Sequence, residues 1–400
     1  MNAFDITYFE GPTPDYITQP WVIADIAAAG FTLIPLNADT DTNKTALKLL
    51  RQHGLRAVVT DPRIHNLFRE KNITPVDETI RALVADYAEF ENIVGWDLCD
   101  EPSAEDFPIL AALVHAFRRY SPDKETVINL FPNYATAKQL GNPDYRTHLE
   151  EFINIVHPHY LSYDHYHFLG RKNRKAILVD TASEREQMIR LAAENTVNRG
   201  GFFENLQDIR TVADKYHLDA MLIVLLTEHG LYRNLTYEEL LWEVNMCLAY
   251  GMRRISYFTY WQPEDDDAYW HWENAMCDPK GKREQHYYDV QRINREVKTV
   301  GEHLFGSTCS AVFHIGEAEP GAETFSTYGS IRGIRGNCGV ISFFDDGSMY
   351  LVNRDYQNVQ SFRLSTDAFI AVMRNGTFVD ANSLEFTLDP GAAVLLKFRT

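Results

Sequence analysis

The 400-residue chain is too long for one small domain and suits a barrel of about 250–300 residues with a companion of about 100. With 56 acidic against 38 basic residues, its net charge of -18 excludes the basic surface that nucleic acid requires. The same charge disfavours a strongly anionic substrate and leaves neutral sugars open.

The opening MNAFDITYFEGP has neither the basic nor the apolar region of a signal peptide, and no run approaches the roughly 18 apolar residues of a membrane span. Neither membrane nor nucleic acid is an expected partner. Homo-oligomerisation is left open. Cys99, Cys247, Cys277, Cys309 and Cys338 are odd in number, scattered and without a CxxC pair. They argue against a disulfide framework or a zinc site, and for the reducing cytoplasm.

The chain then alternates short apolar runs with longer amphipathic ones. The predicted strands are Asp5–Phe9, Thr32–Leu36, Arg56–Thr60, Ile93–Cys99, Thr126–Phe131, Tyr160–Tyr166, Ala220–Thr227 and Arg254–Trp261. Between them, WVIADIAAAG and KTALKLLRQHG read as helices stopped by Gly30 and Gly54, and DFPILAALVHAFRRY and YEELLWEVNMCLAYG space apolar residues by three or four. Repeated strand–helix units predict an α/β fold, a closed (β/α)8 TIM barrel, over residues 1–305. No GxGxxG or P-loop is present, which disfavours dinucleotide and NTP binding.

Gly170–Gly201 departs from the repeat with its own AILVD and EREQMIRLAAEN runs, and reads as an insertion over the barrel mouth. After Gly306, runs such as GVISFF, SMYLVNRD, QSFRLS and AVLLKF, separated by DDG, NG and DPG turns, predict a small all-β sandwich over 306–400.

Barrel chemistry sits where strands end at the C-terminal face. The fourth predicted strand ends in NIVGWDLCDEPS, placing Asp100 and Glu101 just past the apolar run. The seventh, AMLIVLLTEHG, places Glu228 at the same level. Helix capping explains either Glu alone, but less readily the two together. Strands four and seven lie nearly opposite, so two carboxyl groups could flank one scissile glycosidic bond.

WDLCDEP resembles the Asn-Glu-Pro element of clan A glycoside hydrolases, and RRISYFTYW looks like that clan's eighth strand, ending in Trp261. The trailing β region resembles the small C-terminal domain of family 42-type β-galactosidases. The resemblance implies a (β/α)8 barrel with Glu101 as acid/base and Glu228 as nucleophile, needing no cofactor. Asp100 stands where the clan has Asn. It can accept from a sugar 2-hydroxyl but cannot donate an amide hydrogen. Its charge should favour the protonated form of Glu101.

Clan members place a Tyr or His of strand six against the nucleophile. Tyr163 and His165 are the expected residues, with Tyr166 in reserve. Among Trp96, Trp261, Trp270 and Trp272, the expected stacking surface is Trp261; Trp96 reads as core. The loop QPEDDDAYWHWEN reads as a subsite wall. Asn37, Asp61, Asn129 and Asn133 end other strands and could bind sugar hydroxyls, though turn formation explains each equally well. The predicted activity is retaining hydrolysis of the terminal sugar of a neutral oligosaccharide or glycoside. Two alternatives stay open: a metal-dependent barrel hydrolase using His157, His159, His165 and His167, or a non-catalytic carbohydrate-binding protein.

Overall fold

A computed structural model describes residues 3–170, 197–264 and 270–399. Most of the predicted insertion and the DDDAY part of the last barrel loop lie outside the described residues. Among those described, eight parallel strands form one sheet: β1 (Asp5–Tyr8), β2 (Leu33–Asn37), β3 (Arg56–Thr60), β4 (Ile93–Asp100), β5 (Glu125–Leu130), β6 (Tyr160–Asp164), β7 (Asp219–Leu225) and β8 (Arg254–Phe258). Their order is 1-8-7-6-5-4-3-2. The Thr32 N–H donates to the Ile6 carbonyl at 2.9 Å, closing the barrel between β1 and β2.

These strands read as continuous apolar runs because both faces are buried. Leu33, Val58, Val127, Tyr160, Met221 and Ile223 fill the barrel interior. Alternate residues such as Ile34, Val59, Ile128, Leu161 and Leu222 face the helices. The N-terminal end is plugged by ion pairs, in which Arg254 donates to Glu125 at 2.5 Å and Arg56 to Asp5. The chemistry-bearing strand ends therefore open at the other end.

Caps fix where helices begin. Asp39 and Asp61 accept backbone N–H groups at the starts of Thr40–Gln52 and Pro62–Glu70, and Thr236 forms a capping box on Tyr237–Ala249. Asp61 also takes bonds from Arg63, Thr40 and Tyr87, so its carboxylate is committed to the helical layer.

The last barrel helix ends at Phe305 and the β region begins at Cys309. A six-stranded antiparallel sheet and a three-stranded one make an all-β sandwich. Along the six-stranded sheet, Ile341, Phe343, Leu351 and Leu396 point to the sandwich core. Their neighbours Val340, Phe344, Tyr350, Val352 and Leu395 join the barrel's core instead. The helix Tyr237–Ala249 lies against this sheet and is almost wholly buried. Its Trp242 Nε1 donates to the Arg354 carbonyl at 2.8 Å, and Asn245 accepts from the Tyr350 hydroxyl at 2.7 Å.

Candidate active site

β4 carries Asp97 and Asp100 and delivers Glu101 one residue past its end. Glu101 has a left-handed φ of +46°, a conformation costly for a residue with a Cβ and often kept at functional positions. Its N–H donates to the Asn129 carbonyl at 2.8 Å. β5 supplies Asn129, whose amide nitrogen donates to Asp100 at 2.9 Å and Asp164 at 3.0 Å, while its amide oxygen accepts from Ser162 at 2.9 Å. β1 is followed at the same level by Glu10.

The groups around Glu101 are thus acids. Burial, then Asp164, then Asp100 raise the Glu101 carboxyl above its ordinary range. Burial and the Asp100 charge raise Asp164 as well. Glu10 is pushed up to about 7 by burial and Asp100, and Asp97 to about 7 by burial, Asp100 and Glu10 against a bond from Thr60. Glu10 and Asp100 nevertheless keep part of their surface open to solvent. Crowded acids beside a half-buried Glu give a site that holds a proton at neutral pH.

Glu228 stands three residues beyond β7 in different company. Its Oε2 accepts from the Asn274 amide at 2.7 Å, and its backbone pairs with Glu273. Beside it, the His229 ring stacks on Trp272 at 4.4 Å between centroids, and Trp272 stacks on Trp270 at 5.9 Å. Phe258, at the end of β8, packs against Tyr166, His229 and Trp272. The Arg199 guanidinium lies 3.7 Å from the Tyr134 ring centroid, and its charge acts on Asp164.

Several expected residues sit elsewhere. Ser162 and Asp164 face the barrel interior, so alternation turns Tyr163 outward. It is fully buried among the core side chains. Tyr163 is therefore core, and Tyr166, two residues past the end of β6, is half-buried and feels the Asp164 and Asp100 charges. His165 is also fully buried, bonded to Asn205 at 3.1 Å and held neutral by burial, its pKa lowered to about 3. Trp261 is 3% exposed, packed against Tyr16 at 4.8 Å and under Gly281, and offers no open face. The more open aromatic residues are Trp270, which is exposed, and the half-buried Trp272.

Asn129 has both amide hydrogens on aspartates, so it serves the acids and not a sugar hydroxyl. Asn133 is likewise spent on the Gly201 carbonyl, whereas Asn37 is exposed at the end of β2. Trp96 stacks on Phe117 in the core. His159 bonds to Thr126 near the start of β5, far along the strand from Asn129. Among the described residues, no three His, Cys, Asp or Glu side chains are arranged to hold a metal ion. Glu10, Asp97, Asp164 and Asn274 were not expected. An acid directly after a predicted strand was the available signal for Glu10.

The sequence matches no protein-family model and no curated protein. The fold is shared with solved structures. A family 39 glycoside hydrolase from Bacteroides cellulosilyticus aligns with a TM-score of 0.53 at 12% identity, over 99% of this chain and 81% of that one. A family 5 glycoside hydrolase from Bacteroides vulgatus gives 0.57 at 10% identity, over 98% and 87%. A β-galactosidase from a psychrophilic Marinomonas gives 0.51 at 10% identity, over 76% and 61%. At these identities the likeness is one of fold.

Proposed function

We propose that this chain is a retaining glycoside hydrolase that releases the terminal sugar of a neutral oligosaccharide or glycoside, with Glu228 as nucleophile and Glu101 as acid/base. One observation carries the reading: the two glutamates follow β7 and β4 at the same barrel end, in opposite surroundings. Glu101 is crowded by acids that favour its protonated form, while Glu228 accepts a hydrogen bond from Asn274. That division matches the two roles of a double displacement. The fold neighbours named above are glycoside hydrolases, which supports the same reading.

In the first step a Glu228 oxygen attacks the anomeric carbon as the bond to the leaving oxygen breaks. Glu101 gives its proton to that oxygen, leaving a glycosyl ester on Glu228. Water then attacks the same carbon, Glu101 takes the water's proton, and the Glu228 carboxylate departs. Asp100 accepts from a sugar hydroxyl, and Trp270 and Trp272 offer ring faces. Residues 1–305 form the catalytic unit and 306–400 the β unit, and a cytoplasmic setting implies imported glycosides and not polymers.

A screen of aryl glycosides with wild type and Glu228→Ala tests this. Turnover by wild type alone, with azide restoring product in the variant, is the expected result. Turnover unchanged in the variant would overturn the assignment of Glu228. A second reading has one observation in its favour: the charge acting most on Glu101 is that of Asp164. If Asp164 is the second catalytic carboxylate, Asp164→Asn abolishes turnover while Glu228→Ala only weakens it.

A further inference from the structure

Asn129 makes four contacts at the mouth, and all concern the acids or the residues that hold them. β5 lies between β4 and β6, with Asn129 opposite Asp100 on one side and Ser162 on the other. One amide nitrogen therefore reaches Asp100 at 2.9 Å and Asp164 at 3.0 Å. An amide nitrogen only donates, so each facing oxygen must act as an acceptor. The Ser162 hydroxyl, donating to the amide oxygen, fixes which end of the amide faces the acids. The flipped amide would set its oxygen against two carboxyl oxygens. The Asn129 carbonyl also receives the Glu101 N–H at the left-handed turn.

We propose that Asn129 is a positioning residue whose two donated bonds bias Asp100 and Asp164 towards their carboxylate forms, so that Glu101 keeps the proton of the three. This rests on reading Glu101 as the acid of the proposed glycosidase. Donation to both aspartates favours their charged forms against burial. Two anions beside Glu101 then oppose a third. The other groups facing the trio are Glu10 beyond β1, Asp97 and Cys99 on β4, Tyr134, Tyr166 and the Arg199 cation. The Arg199 charge also favours the ionised form of Asp164. Without the amide, a proton settles on Asp100 or Asp164, and Glu101 ionises more easily.

The test compares wild type with Asn129→Leu, which keeps the size and loses both donors, and with Asn129→Ser, which keeps one. Two readouts are taken: the alkaline limb of kcat/KM on an aryl glycoside, and the carboxyl 13C NMR titration of Glu101, assigned by its loss in Glu101→Gln. The expected result is a displacement of both to lower pH, by about half a pH unit or more in Asn129→Leu and less in Asn129→Ser. A folded Asn129→Leu protein with reduced kcat but an unmoved Glu101 titration would overturn the proposal. If Asn129→Leu fails to fold, Ser162→Ala, which frees the amide to turn, is read in the same way. If wild type cleaves no glycoside yet the Glu101 titration moves, the glycosidase reading fails and the positioning role stands. If glycosides are cleaved and the titration stays, the reverse holds.

Discussion

The two sides of the barrel mouth are built from different chemistry. From β4 to β6 the wall is carboxyl groups, tied together by Asn129 and crowded enough to raise one another. Beyond β7 and β8 it is rings, with His229, Trp272 and Trp270 stacked in series beside the Glu228 turn and Phe258 and Tyr166 packed against them. One glutamate thus sits where ionisation is opposed, while the other accepts an amide hydrogen from Asn274 next to a ring-lined turn. The proposed roles divide along the same line, proton handling with the acids and substrate support with the rings, and Tyr166 touches both.

The largest effect is expected on the aromatic side. Glu228→Ala, which removes the proposed nucleophile, should lower kcat on the order of 10⁴-fold or more, measured on an aryl glycoside with a poor leaving group. On the acid side, Glu101→Gln should cost about 10²–10⁴-fold with that substrate. It should cost far less in the first step with a dinitrophenyl leaving group, which needs no proton. Equal losses with both leaving groups would remove Glu101 from the acid role.

A smaller effect tests the wall itself. Trp272→Ala removes the ring stacked on His229, and should raise KM about 3–10-fold with little change in kcat. A change confined to kcat would argue that Trp272 orders the Glu228 turn and does not touch sugar.

The smallest effect is on stability. Glu10 and Asp97, raised to about 7, are harder to ionise in the folded chain than in the unfolded one. Their contribution is fully present below about pH 4 and is lost as pH rises through about 7. The melting temperature should therefore fall between pH 5 and pH 8, and Asp97→Asn should flatten that fall by about 1–3 °C. An unchanged slope would show that Asp97 is already relieved by solvent.

Much of the barrel was readable because its strands are apolar on both faces and its helices carry their own caps. The ends of β4 and β7 could be located for the same reason, which brought Glu101 and Glu228 into view. Side-chain direction was harder. β4 has an irregular register between Asp97 and Cys99. Asp97 and Asp100 are three apart, yet one bonds to Thr60 and the other to Asn129, both interior residues of neighbouring strands. No alternation rule anticipates that. In HPHYLSYDHYHF the resemblance to clan A implies Tyr163 and His165, whereas pairing with β5 turns Ser162 and Asp164 to the interior. Asn274 belongs to a loop far along the chain, and only the fold brings it to Glu228.

The six-stranded sheet of the β region hides one face in its own sandwich and the other beneath the barrel's core. Cutting the chain at the end of the last barrel helix would strip cover from Trp242 and leave Asn245 without Tyr350. The two parts are therefore welded, not strung together: neither is a transferable module, and heat should melt them in one calorimetric peak.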